Sequence, residues 1–164
     1  MRSCGSACIR FERGLSLFEI LITVVVVSIG LLGLAGLQFA GLRASNNAQD
    51  HTTATLLAQD IEARIRANPV AAQPPNLAYN SISLDSSSSP GIVDCLAASC
   101  TPSVMANFDI YQWYRFIVPA GADKPLLPNA SVDINSNDGI NFQITIQWGD
   151  PSGPQALNAN FTTS

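Results

Sequence analysis

Few side chains in this sequence have types and spacing suited to chemistry, and the most informative is a carboxylate. Glu19 stands near the start of "RGLSLFEILITVVVVSIGLLGLAGLQFAGLR" (residues 13–43), and from Ile20 to Leu42 there are 23 residues without a charge. A lone acid near the end of an apolar span is costly unless a cation or water satisfies it. Scission of the Gly14–Leu15 peptide bond would supply that cation. The new α-amino group of Leu15 would lie four residues from Glu19 on the same helix, and it would also be presentable to a neighbouring chain. The same cut would remove Arg2, Arg10 and Arg13. If the chain were cut there, the chemistry expected of Glu19 would be charge neutralisation.

The cysteines fall into two pairs, Cys4 with Cys8 and Cys95 with Cys100. In an oxidising compartment Cys95 and Cys100 are expected to form a disulfide. Closing so short a loop stabilises by roughly 2 kcal/mol on the chain-entropy model. Cys4 and Cys8 would be half of a metal site at most. The chain has one histidine, His51, and no CxxC motif to complete a zinc set, so no metal is expected. The stretch "DINSNDG" invites a calcium reading, but counting from Asp133 the sixth position is Asp138 and the twelfth Ile144, where an EF-hand needs glycine and an acid. No GxSxG, HExxH or P-loop motif is present, so neither catalysis nor a cofactor is expected.

Charge is distributed in a way that orients the chain. Arg2, Arg10 and Arg13 precede the apolar run against Glu12 alone, whereas the remainder is acidic and the whole carries a net charge of −4. Basic flanks stay cytoplasmic, so the N-terminus is placed inside and the C-terminus across the membrane. The acidic remainder has no basic stripe and excludes nucleic acid as a partner. The 23-residue run exceeds the ~20 residues that cross a bilayer as a helix, and it is longer than the core of a cleaved secretory signal. A plain signal anchor would account for length and orientation but leaves Glu19 unexplained.

Helical character continues beyond the span. Leu57, Ile61 and Ile65 recur every four residues, Ala54 and Ala58 extend the same face, and Asp60, Glu62, Arg64 and Arg66 are assigned to the remaining surface. Asn68-Pro69 ends the pattern, because the residue before proline avoids the helical region. From Leu17 to Ala67 the helix would extend about 75 Å at 1.5 Å per residue. Gly30, Gly33, Gly36 and Gly41 interrupt its apolar half. They suit either close approach of other helices or local softness, each glycine costing about 1 kcal/mol against alanine.

After Pro69 a Pro- and Ser-rich stretch with one short strand near Tyr79–Leu84 is expected, with Ser86–Ser89 in a solvated loop. "TPSVMANFDIYQWYRF" reads as a helix with Thr101 at its N-cap and Pro102 in the first turn. Val104, Met105, Phe108, Trp113 and Phe116 are expected on its core face. A hairpin comes next: Val132 and Ile134 oppose Ile140, Phe142, Ile144, Ile146 and Trp148, with Asp138-Gly139 at the turn. "ALNANFTTS" would add an edge strand. The fold class is α+β, a long N-terminal helix with a membrane half and an amphipathic half, packed on a small antiparallel β-sheet head. The expected boundaries are a leader over 1–14, the helix over 15–68 with its membrane-spanning part at about 20–42, and a globular head over 69–164.

The segment "RGLSLFE", with Gly14 before the cut and Glu19 fifth after it, resembles the prepilin signature of type IV pilins. Members usually begin the mature chain with Phe or Met, and here it is Leu15. Many carry proline seventeen residues after the key glutamate, where this chain has Gly36. The resemblance implies a prepilin peptidase that cleaves after Gly14 and methylates the Leu15 amine, and a Glu19 that neutralises a mature N-terminus during assembly. "SIGLLGLAGLQ", "DIEARIRANP" and "FQITIQW" followed by Gly-Asp look like the minor pilins of the PilV type, and Cys95, Cys100, Asp109 and Trp113 fit that family's middle region. The resemblance implies a non-catalytic subunit of type IV pili that primes assembly, with roles in adhesion and twitching motility. Its partners would be prepilin peptidase, other minor and major pilins, inner-membrane lipid and the assembly platform. It would reside in the inner membrane with the head periplasmic, and at the cell surface after assembly. A minor pseudopilin of a type II secretion system would share the leader and Glu19, and a membrane-anchored periplasmic binding protein would retain residues 1–14.

Overall fold

The computed structural model describes residues 16–92, 94–97, 99–117, 125–150 and 153–163. The expected leader, residues 1–14, and the expected cleavage position at Gly14 and Leu15 lie outside them, as do Cys4 and Cys8. The chain divides into two compact units, Met1–Ala44 and Ser45–Ser164. Helix α1, Leu17–Ala67, runs through both.

In the first unit every described side chain is exposed. An 18-residue window of α1 has a mean hydropathy of 2.7 with none of it buried, so the helix is long and apolar enough to cross a membrane. Thr23 and Ser28 donate their hydroxyls to the Ile20 and Val24 carbonyls, at 2.8 and 2.6 Å. Their polar groups are thereby satisfied within the helix, as hydrocarbon surroundings require. The helix is unbroken through Gly30, Gly33, Gly36 and Gly41, and a Cβ at any of them would meet nothing within 4 Å.

In the second unit α1 buries Ala54, Leu57, Ala58, Ile61 and Ile65, the face that the four-residue recurrence indicates. Asn68 and Pro69 stop it, and a short helix α2, Pro69–Ala72, comes at once with its proline in the first turn. This helix replaces the loop expected after Pro69. Ala71 and Ala72 are fully buried, and such small side chains carry no periodic signal over a single turn.

The sheet contains four antiparallel strands in the order β1-β2-β3-β4, namely Ile82–Leu84, Ser131–Asn135, Asn141–Asp150 and Gly153–Thr162. Val132 pairs with Ile146 and Ile134 with Ile144, so alternation places one apolar face on the core. Trp148, Ile146, Ile144 and Phe142 of β3 pack there with Leu84, the α1 face and α3, Pro102–Ile117. The last strand is the expected edge strand, and it begins three residues before "ALNANFTTS".

Two side-chain expectations are corrected. On α3, Val104 and Phe116 are exposed, whereas Ala106, Asp109, Ile110, Trp113 and Ile117 are buried. Large apolar residues occupy both sides of this helix, and the polar partners of Asp109 and Trp113 choose its phase. Ile140 is exposed because β3 begins at Asn141, so the alternation does not reach into the turn.

That turn is built by Asp138 and Gly139. The Asp138 carboxylate accepts from the backbone N–H of Ile140 at 2.9 Å and of Asn141 at 2.7 Å. Gly139 has φ +68°, and a Cβ there would fall 2.8 Å from the Gln73 Cα and closer still to the Ala72 carbonyl. Glycine is required because the turn lies directly against the end of α2.

Candidate assembly helix and the clamp that holds it

Glu19 lies in the first turn of α1, where its backbone N–H donates to the Ser16 carbonyl at 2.9 Å. A carboxylate at this position also meets the positive end of the helix dipole. Its flanks are fully displayed apolar side chains, with Leu17 83% and Phe18 71% exposed. Among the described residues Glu19 has no ion pair or side-chain hydrogen bond. At the far end of the apolar run Arg43 sits over the Phe39 ring, 5.5 Å from its centroid. The carboxyl and the guanidinium thus bracket a largely apolar surface with no other charged side chain.

In the second unit, polar contacts fix the C-terminal end of α1. Arg64 donates through Nε to Asp60 at 2.9 Å and through Nη1 to Gln112 at 3.0 Å and Asp109 at 3.3 Å. Asp109 is buried and accepts the Tyr79 hydroxyl at 2.6 Å on its other oxygen. Asn68 donates to the Tyr79 oxygen at 3.3 Å and to the Pro102 carbonyl at 2.8 Å. The indole N–H of Trp113 reaches the Leu57 carbonyl at 3.0 Å. One guanidinium therefore joins α1 to α3, and one phenol joins both to the loop before β1. Burial, and then donation to the Asp109 carboxylate, push the Tyr79 phenol well above its ordinary range, so it stays a donor at any physiological pH.

Sequence reasoning misses this clamp. It puts Arg64 on open surface and reaches Asp109 only through the family resemblance. The available signal is an acid at the buried phase of α3, in register with Trp113 and with an arginine one turn from the end of α1. Elsewhere on α1, His51 meets the Trp148 ring edge-on, with centroids 4.9 Å apart. His51 is thus a packing contact on the helix face.

Cys95 and Cys100 form a disulfide, with S–S 2.00 Å. Leu96 within that loop and Ile92 before it are both more than 80% exposed. Among the described residues no group of three or more His, Cys, Asp or Glu could hold a metal ion.

A displayed apolar helix, a clamped amphipathic continuation and a small antiparallel sheet make a scaffold. Residues 36–111 match the family model Tt1218-like, described as type IV pilin Tt1218. The match supports a type IV pilin structural subunit. It takes in the second part of the apolar run, the clamped end of α1, α2, β1 and α3 as far as Tyr111. The long N-terminal apolar helix and the four-stranded antiparallel sheet agree with a type IV pilin fold, and the helix fits a membrane-anchored pilin. A type IV pilin would be expected to interact with other pilins, and every described side chain from Ser16 to Asn46 is exposed. Among curated proteins and among solved structures, nothing matches the chain.

Proposed function

We propose that the chain is a minor pilin of the PilV type, made as a prepilin and built into type IV pili as a non-catalytic subunit that primes assembly. Residues 1–14 are its leader, 15–68 its helix and 69–164 its periplasmic head. Prepilin peptidase cleaves between Gly14 and Leu15 and methylates the Leu15 amine. Cleavage removes the three leader arginines and leaves Glu19 as the single charged side chain before Arg43. Glu19 then neutralises the α-amino group of a neighbouring subunit within the apolar bundle, where an unpaired charge of either sign is costly.

The observation that carries this reading is the helix itself. Every described side chain of its first unit faces outward, and no described residue packs on Gly30, Gly33, Gly36 or Gly41. Small residues with no neighbour in their own chain suit close approach of other helices. The partners are accordingly other minor and major pilins, the assembly platform and inner-membrane lipid, with adhesion and twitching motility as the processes served.

The test is Glu19→Ala in a piliated host. Membrane insertion is expected to be unchanged, while the amount of this subunit in sheared filaments falls by about tenfold or more, as loss of a well-formed ion pair in low dielectric predicts. Equal incorporation of mutant and wild type would refute the role given to Glu19.

A further inference from the structure

Beyond the assembly role, we infer that the sheet carries a binding site for an uncharged carbohydrate, placed where the β2–β3 turn meets the end of β4. A cavity of about 450 Å³ opens there, within the range of small-ligand sites. Its chemistry is unusual for a protein surface, which ordinarily intersperses Lys, Arg, Glu and Asp. The lining includes the carboxamides of Asn135, Asn137, Gln143 and Asn160 and contains no charged residue.

Strand register brings these groups together. Asn135 pairs with Gln143 and Gln143 with Asn160, so three carboxamides stand side by side across three strands on the face opposite the core. At a strand spacing of about 4.8 Å the row spans roughly 10 Å, the scale of a disaccharide. Among the described residues none of these three side chains, nor that of Asn137, makes a hydrogen bond to protein. The neighbouring polar groups are already engaged. Asn141 donates to Asp138 at 2.7 Å and accepts from Thr162 at 3.2 Å. The Asp138 carboxylate also holds the turn, and Arg66, which lies over the Phe161 ring, is paired with Glu62 at 2.7 Å.

A carboxamide offers two N–H donors and a carbonyl acceptor, and a sugar hydroxyl both donates and accepts. A row of uncommitted carboxamides therefore matches a polyol. It offers no arginine or lysine to a phosphate or carboxylate, and no carboxylate to a cation. A protein partner would favour a desolvated apolar anchor, but the apolar residues of the lining, Phe142 and Phe161, are buried in the core.

The experiment uses full-length, ¹⁵N-labelled protein in a detergent without a sugar headgroup, titrated with maltohexaose, chitotetraose and dextran. Saturable shifts are expected in the side-chain NH₂ signals of Asn135, Asn137, Gln143 and Asn160 with at least one neutral glycan. The double substitution Gln143→Ala with Asn160→Ala should raise Kd about tenfold while the backbone spectrum stays that of the wild type. Gln147→Ala, on the same face but outside the cavity, should leave Kd unchanged. No saturable shift with any of the three glycans would overturn the inference. So would shifts that survive the double substitution, or shifts produced by a heparin tetrasaccharide and by no neutral glycan.

Discussion

Tyr79 and Asp109 show how much of the head's organisation rests on two polar side chains. The phenol is fully buried and its hydrogen bond to Asp109 is the shorter of the two that hold that carboxylate. In Tyr79→Phe the ring still fills its space, but one carboxylate oxygen of Asp109 is left buried without its donor. Such a loss costs about 1–3 kcal/mol. A matching drop in unfolding free energy should appear in urea titrations monitored by tryptophan fluorescence, and an unchanged midpoint would remove the clamp's energetic role. At the turn, backbone donation from Asn141 and Ile140 lowers the Asp138 carboxyl to about 2. A depressed folded-state value means that Asp138 contributes stability fully above about pH 4 and loses it as pH falls toward about 2. Asp138→Asn should therefore lose less stability than wild type between about pH 5 and pH 2. Parallel declines would show that the turn's carboxylate is not the group responsible.

At the scale of elements, the disulfide loop and the long helix behave differently under substitution. Leu96 is 83% exposed, so the Cys95–Cys100 loop gives little packing to the core and acts mainly by shortening the unfolded chain's freedom. Replacing both cysteines by serine should cost about 2 kcal/mol, read as a lower denaturation midpoint with the same circular dichroism spectrum. A larger loss with altered tertiary signal would mean that the loop packs after all. Elements with strong periodicity are legible in the sequence. Leu57, Ile61 and Ile65 declare the buried face of α1, Asn68-Pro69 its end, and the alternation from Phe142 to Trp148 the central strand. Two elements are not legible in the same way. Helix α2 is too short for any period, and α3 carries large apolar residues on both sides, so its rotation is set by Asp109 and Trp113 finding partners on α1 and near β1. The α1 partners are 45 and 56 residues away in sequence, beyond the reach of any local pattern.

At the scale of the whole molecule, one chain joins two surfaces of opposite character. The first unit displays apolar side chains to whatever surrounds α1, and the second encloses its own core and presents a polar sheet face. Of the residues that the sequence singles out, Glu19 and the Cys95–Cys100 pair stand within the described structure. Gly14 and Leu15 lie outside it, and the roles proposed for them rest on the order of residues about the Gly14–Leu15 bond. That order is legible only because basic leader, glycine, acid and apolar run fall at fixed offsets. No comparable offset marks the carboxamide row, which exists only once three strands are in register.

The central claim is that the protein enters filaments as a processed pilin, and intact mass tests it most directly. Protein purified from the membranes of a host that has prepilin peptidase should have a mass beginning at Leu15 and raised by one methyl group. A mass that retains Met1–Gly14 would contradict the claim and return the chain to a membrane-anchored protein whose Glu19 meets no partner amine.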